Sequence, residues 1–283
     1  IVNPAAGREG YKNNFGEALH TLSTCGYTTT VYFTSGQGEA TKIAANRGAE
    51  FDTVACVGGD GTLSETISGL MKMDNPPPIG YFPMGTANDV ATTLDIPKND
   101  MVGAARKMIM GIPHPFDVGG FGPDRYFAYI AAFGAFTEVS YSTPQEQKKV
   151  LGHLAYVLQG AMLLPKIENY HAKVEYDDGV IESDFLYGSL SNSTSVAGIV
   201  HLDENIVGLG DGKSELVLVK DPGGIEGLGQ LVTSVVAQKY DTDKLIVLHT
   251  KKAKFTFDKP VAWTCDGEAG GVVDKIELYN YPS

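Results

Sequence analysis

No stretch of this chain approaches the roughly 18–20 uninterrupted apolar residues of a membrane-spanning helix, and its start lacks the charged, apolar and cleavage regions of a secretory leader. The expectation is a soluble protein that does not span a membrane. Cysteine is scarce: Cys25, Cys56 and Cys265 lie far apart with no C-x-x-C spacing, which excludes a disulfide framework and a zinc knuckle and fits a reducing cytoplasm. Basic residues are outnumbered, 22 Lys and Arg against 34 Asp and Glu, for a formal net charge of −12. Such a balance excludes a sequence-independent nucleic-acid binder and opposes adhesion to an anionic bilayer. Membrane contact must therefore come from local patches such as Lys148-Lys149 or Lys251-Lys252-Ala253-Lys254. Internal repeats, low-complexity tracts and long linkers are missing as well. Ile1 is not an initiator methionine, so a few residues are expected before it.

With 283 residues the chain exceeds the usual single-core size, and two domains are expected. Over the first part, strand and helix alternate. Ile1-Val2 ends a strand, Phe15, Leu19 and Leu22 mark a helical face, and Val31-Tyr32-Phe33 is the next strand. Ala40, Ile43 and Ala44 form another helix, Thr53 to Val57 a strand, Leu63, Ile67 and Leu70 a third helix, and Ile79 to Pro83 a further strand. This rhythm predicts a Rossmann-like parallel sheet over residues 1–116, with ligands outside the strand C-termini. Beyond Asp117 the pattern turns to strands and hairpins. Lys173 to Tyr176 and Ser183 to Tyr187 flank Asp177-Asp178-Gly179, and strands are expected at Glu215–Val219, Leu245–Leu248 and Phe255–Phe257. Val150, Leu151, Leu154, Leu158 and Met162 repeat at helical spacing. Residues 117–283 are thus expected to form an antiparallel β-sandwich, whose last strand is free to return toward the first domain.

Four loops of small residues follow strands of the parallel sheet and should share one edge: Asn3-Pro4-Ala5-Ala6-Gly7, Thr34 to Gly38, Gly58-Gly59-Asp60-Gly61-Thr62, and Pro83 to Asp89. Taken alone, Gly-Gly-Asp-Gly is ordinary turn chemistry. A helix starting near Thr62 adds an N-terminus that favours anions, and the glycines let backbone N–H groups approach a phosphate closely. Neither G-x-x-x-x-G-K-S/T nor G-x-G-x-x-G after a strand is present, which excludes a Walker-type NTPase and a standard dinucleotide fingerprint.

Asn3-Pro4 with Gly7, Gly58 to Thr62, Gly85-Thr86-Ala87-Asn88-Asp89 and Asp266-Gly267-Glu268 resemble, in order and over nearly the whole chain, the signature blocks of the diacylglycerol kinase catalytic-domain family. Within the NAD kinase and diacylglycerol kinase superfamily the likeness is to soluble bacterial lipid kinases. It implies transfer of the γ-phosphate of ATP to a lipid primary hydroxyl, most simply diacylglycerol to phosphatidate, with Mg²⁺ as the metal, a nucleotide domain followed by a lipid-substrate domain, and an active site between them. By position, Asn3, Pro4, Ala5, Ala6, Gly7, Thr34, Gly58, Gly59, Asp60, Gly61, Thr62, Leu63, Ser64, Glu65, Gly85, Thr86, Asn88 and Asp89 match the nucleotide-contacting blocks. Asp60 matches the residue that organises Mg²⁺, with Asp89 and, through water, Asp117. Glu268 matches the general base, with Asp266 close enough to share the role. Asp211, with main-chain oxygens of Gly208 and Lys213, matches a structural Mg²⁺ site, and Asp211-Gly212 reads equally as a tight turn. Ser64 stands where the family has asparagine, and Ala5 and Ala6 where a hydroxyl is common. The resemblance also implies transient contact with the inner membrane surface by a cytoplasmic enzyme, no nucleic-acid partner, and leaves homodimerisation open. Two alternatives stay open: an NAD kinase acting on a ribose hydroxyl, and a non-catalytic nucleotide- or lipid-binding regulator on the same scaffold.

Overall fold

The computed structural model describes residues 1–7, 14–85, 88–134, 168–192, 195–196, 200–201, 210–236 and 243–283. Its contacts divide into two compact units, Ile1–His114 and Pro115–Ser283.

In the first unit, β1 (Val54–Gly58) and β2 (Ile79–Pro83) pair in parallel from Val54↔Ile79 to Gly58↔Pro83. Val2 bridges in parallel to both Val57 and Phe33, which extends the sheet by single contacts. The ladder of four expected strands is therefore complete only for β1 and β2. Val2 N–H donates to Tyr32 O and Thr34 N–H to Val2 O, and two residues later Pro4 has no N–H with which to continue. Helices α1 (Phe15–Thr24), α2 (Glu39–Arg47), α3 (Asp60–Leu70), α4 (Asp89–Thr93) and α5 (Met101–Met110) connect these segments. Ala18 and Leu22 of α1 and Met101, Ala104 and Ala105 of α5 pack with Val2, Val57 and Phe82. Ala44 of α2 and Leu70 of α3 pack with Val54, which faces the other way. The sheet is thus covered on both sides, as parallel strands require. Asp100 caps α5, accepting from Gly103 N–H at 2.8 Å.

The second unit is antiparallel. Its strands are β3 (Val118–Phe121), β4 (Arg125–Phe127), β5 (Ile130–Gly134), β6 (Tyr170–Tyr176), β7 (Gly179–Ser191), the short pair β8 (Ser195–Val196) and β9 (Val200–His201), β10 (Ser214–Lys220), β11 (Leu245–Thr250), β12 (Lys252–Cys265) and β13 (Glu268–Tyr281). Nine of them join one sheet in the order β11-β10-β7-β5-β12-β13-β3-β4, with β6 pairing both β7 and β12. β7 and β12, at 13 and 14 residues, are more than twice the usual strand length of about 5–6 and serve two partners in succession. The first half of β7 pairs β6 and its second half pairs β5 and β10, while β12 pairs β6 through Phe257 and β5 from Trp263. β5, β7, β6 and β12 therefore close a ring of pairings within one antiparallel sheet. Inside it Trp263 meets Phe133, Phe255, Phe121 and Phe257 at centroid distances of 4.9, 5.1, 5.6 and 6.2 Å. Edge-on contacts of this kind add about 0.5–1.5 kcal/mol per pair beyond burial.

A helix the sequence pattern does not announce, α6 (Ile225–Val236), follows β10. Gly223, Gly224, Gly227 and Gly229 crowd its start, and glycine costs about 1 kcal/mol per helical position relative to alanine. The expected helix over Val150 to Met162 lies outside the described residues.

Burial separates the three thiols. Cys25 is exposed, whereas desolvation pushes Cys56 in β1 up to about 11 and Cys265 in β12 up to about 12. Since the thiolate is the nucleophile, iodoacetamide at pH 8 should modify Cys25 alone in the folded protein and all three in denaturant, as peptide mass spectrometry would report. Modification of Cys56 at the rate of Cys25 would contradict its place in the first core.

Candidate active-site residues

The first unit gathers its small-residue loops where the parallel strands end. Asn3 N–H donates to Val57 O at 2.9 Å, and its side chain does two things at once. Asn3 Oδ1 accepts from Ala5 N–H at 3.0 Å, fixing the turn, while Nδ2 donates to Thr62 Oγ1 at 3.0 Å, tying that turn to the start of α3. Gly7 sits at φ 59, and a Cβ there would run into Met84 O. Gly58 O accepts from Met84 N–H at 2.8 Å. Gly59 and Gly85 then meet backbone to backbone: a Cβ on Gly85 would lie 2.5 Å from Gly59 Cα and 2.6 Å from Asn88 Oδ1. Only glycine permits this approach, so two loops 26 positions apart form one surface lined by main chain.

Asp60 opens α3 directly after that contact. Gly59 caps the helix with no side-chain bond, so the α3 N-terminus presents N–H groups and the positive end of its dipole. Asn88, fully buried at φ 52, holds the neighbouring loop: Oδ1 accepts from Gly85 N–H at 2.9 Å and Tyr81 O–H at 3.3 Å, and Nδ2 donates to Gly85 O at 2.8 Å. Asp89 is the first residue of α4, and Thr86 lies outside the described residues. Thr34 is buried beside Val2, donating its N–H to Val2 O at 2.9 Å. Glu65 engages a different partner from a phosphate: Oε1 accepts from Gly38 N–H at 2.7 Å and Oε2 from Ala40 N–H at 3.2 Å. Its carboxylate caps α2 across the fold, which sequence separation concealed. Pro4 and Ala6 complete the first loop, while Gly61, Leu63 and Ser64 lie in the first turns of α3, with Leu63 buried in the core.

In the second unit Asp266 and Gly267, at φ 50 and 81, form the two-residue turn between Cys265↔Glu268, the pair that closes the β12–β13 hairpin. Both positive φ values match the Asp-Gly preference of such turns. The Asp266 carboxylate accepts three main-chain N–H groups: Ala128 at 2.7 Å, Tyr129 at 2.8 Å and Ile130 at 3.0 Å. Asp266 N–H returns a bond to Ile130 O at 2.8 Å. Asp266 is thus built into the turn, while the adjacent Glu268 is exposed at the head of β13. Asp117, 1% exposed, which the resemblance placed near Mg²⁺ through water, is a second hub of hydrogen bonds. Its Oδ2 accepts from Gly212 N–H at 2.7 Å and Asn280 Nδ2 at 2.9 Å, its Oδ1 from Ser283 N–H at 2.9 Å, and its carbonyl from Asn192 Nδ2 at 3.0 Å. Ser214 Oγ bonds to Asn192 and Asn280, closing the network. Asp211 Oδ1 accepts from Lys213 N–H at 2.9 Å in an exposed turn, and Gly208 lies outside the described residues.

These donor sets decide what cation they suit. Among the described residues no three His, Cys, Asp or Glu converge. A single carboxylate at Asp60, beside a main-chain cradle for phosphate, fits Mg²⁺, which binds hard oxygens and accepts phosphate and water as most of its shell.

A family model, the diacylglycerol kinase catalytic domain, matches residues 1–121. The diacylglycerol kinase of Bacillus subtilis (strain 168) is 31% identical over 284 residues, covering 99% of this chain and 93% of the relative. That of Staphylococcus aureus (strain MRSA252) is 34% identical over 282 residues, covering 96% and 85%. Among solved structures, a diacylglycerol kinase from Bacillus anthracis str. Sterne aligns with a TM-score of 0.77 at 23% identity, over 99% of this chain and 92% of the other. An NAD kinase from Archaeoglobus fulgidus in complex with ATP aligns with a TM-score of 0.53 at 14% identity, over 99% and 88%, a likeness of fold alone. No helix among the described residues is long and apolar enough to cross a membrane. With relatives of this identity along nearly its full length, the chain belongs to the diacylglycerol kinase family and is a lipid kinase.

Proposed function

We propose that the chain transfers the γ-phosphate of ATP to the primary hydroxyl of diacylglycerol, giving phosphatidate and ADP, in the presence of Mg²⁺. The observation that carries this reading is the junction of the Gly58–Thr62 and Pro83–Gly85 loops at the strand ends, pinned by Asn3 to Thr62. Backbone N–H groups there, with the α3 N-terminus, would hold the phosphates without a P-loop lysine. Asn3 and Asn88 orient the cradle; Glu65 fixes the Gly38 side of it.

Asp60 would hold Mg²⁺ together with Asp89, and the metal, when bound, would neutralise charge on the β- and γ-phosphates. Asp211, with main-chain oxygens of Gly208 and Lys213, would hold a structural Mg²⁺. Glu268 is the general base: it takes the proton from the lipid hydroxyl as that oxygen bonds to the γ-phosphorus and the bond to the β,γ-bridging oxygen breaks. Asp266, with both carboxylate oxygens engaged, positions the Glu268 turn. The enzyme would reach its substrate by transient contact with the inner membrane surface.

Asp60→Asn and Glu268→Gln should each lower kcat/KM on diacylglycerol micelles by about 10²–10⁴-fold at unchanged melting temperature. Near-normal turnover in both variants would refute the assignment. Asp266→Ala should lose folded stability as well as activity, by roughly 1.5–3 kcal/mol in urea titration, because it leaves three N–H groups without their charged acceptor. Chelation by EDTA should abolish transfer and added Mg²⁺ restore it. In parallel assays with labelled ATP, phosphate should appear on diacylglycerol and not on NAD; the reverse would transfer the reading to the ribose kinases.

A further inference from the structure

Asp266 fixes the chain before Glu268, and the chain after it departs from the regular ladder. Cys265 pairs Glu268 and Thr264 pairs Ala269, but Trp263 pairs Gly271, so Gly270 is an extra residue in β13. Gly271 sits at φ 105, and a Cβ on Gly270 would lie 2.9 Å from the carbonyl carbon and oxygen of Trp263. The bulge therefore requires glycine at both positions. Among the described residues the other edge of β13 is unpaired here, because β3 pairs with it only from Leu278 to Tyr281. A strand bulged at two glycines and bonded on one side alone has little of its own to hold it still.

Arg125 of β4 supplies what the ladder lacks. Its Nη1 donates to Ala269 O at 2.7 Å, across 144 positions of sequence. A cationic donor makes this a short, charge-assisted bond. The same stretch of chain carries Ala128, Tyr129 and Ile130, whose N–H groups hold the Asp266 carboxylate. Residues 125–130 thus grip the hairpin on both sides of Glu268, at Asp266 before it and at Ala269 after it. Burial pushes the Cys265 thiol up to about 12, with the Arg125 charge opposing that rise and Asp266 and Glu268 adding to it, so all three charges gather around one end of β12. We infer that Arg125 is a positioning residue for phosphoryl transfer: by fixing the main chain at Ala269 it sets where the Glu268 carboxylate stands against the lipid hydroxyl. The inference rests on the lipid kinase reading above and adds a residue that lies outside the four signature blocks. Misplacement of a general base by about 1 Å is enough to cost about 10²-fold in rate.

Arg125→Met keeps an apolar stem and removes the donor. It should lower kcat on diacylglycerol micelles about tenfold or more, with KM for ATP and for diacylglycerol within about twofold, and Arg125→Lys, which restores one N–H, should recover most of the loss. Because Arg125 acts through Glu268, adding Arg125→Met to Glu268→Gln should slow the enzyme no further. Wild-type kcat in Arg125→Met, or the full additional loss in the double variant, would overturn the inference. A second readout needs no substrate: the Ala269–Gly271 amides should exchange with deuterated solvent faster in Arg125→Met than in the wild type, and equal exchange would overturn the inference whatever the turnover. Faster exchange in the variant, with no transfer to diacylglycerol by the wild type, would instead refute the kinase reading and leave Arg125 as the anchor of this bulge. Should Arg125→Met fail to fold, Arg125→Gln, whose shorter side chain withdraws the donor, decides by the same measurements.

Discussion

The Asp266 carboxylate accepting three consecutive main-chain N–H groups is the interaction on which the catalytic end of the second unit depends. It converts a two-residue hairpin turn into a fixed corner joining β5 to the β12–β13 hairpin, and Glu268 leaves that corner as the next residue but one. Charge-assisted bonds of this type contribute about 1.5–3 kcal/mol where neutral ones give about 1. The device recurs. Glu65 binds the N–H groups of Gly38 and Ala40, Asp117 those of Gly212 and Ser283, and Asn88 that of Gly85. The loops that carry candidate chemistry are held by acids and amides, some of them in the same loop, as with Asn88 and Gly85, and some far along the chain, as with Glu65 and Asp117.

That construction suits phosphoryl transfer. The reaction asks little covalent work of a protein and much of its geometry, since donors already aimed at developing charge avoid the cost of reorienting during the reaction. Glycine supplies the other half of the arrangement. The Gly59–Gly85 contact brings main chain where side chains would stand, so the first unit can line a site with N–H groups and keep a single acid, Asp60, at its helix start.

How much of this was legible follows from how local each signal is. The Gly58–Thr62 loop, α3, β1 and β2 stand where apolar runs and glycine punctuation put them, because strand, turn and helix there are contiguous. The Asp266-Gly267 turn was equally open to reading, as a turn. Its grip on Ala128 to Ile130 was not, since the partners are 136 to 138 positions away. Glu65 looked like one more residue of the glycine block and proves to cap a helix 25 to 27 positions upstream. Periodicity also failed for α6, where glycines mask a helix, and for Val31 to Phe33, where an apolar triplet makes one bridge. The closed ring of β5, β7, β6 and β12 is a property of pairing, which no single strand announces.

The register of β7 shifts where it meets Val219 and Lys220, the mark of one extra residue in the strand. Phe185 and Leu190, five apart, both enter the aromatic core on account of it, and Ser189 and Ser191 are turned to the other face. Side-chain identity in this strand is thus subordinate to counting. Deleting the extra residue would leave Phe185 and Leu190 four apart and still on one face by the ordinary pleat, whereas deleting Ser189 with the bulge kept would turn them to opposite faces. Substitution and length change are therefore unequal hazards along β7: natural variation can redecorate the strand, but its length is bound to the bulge.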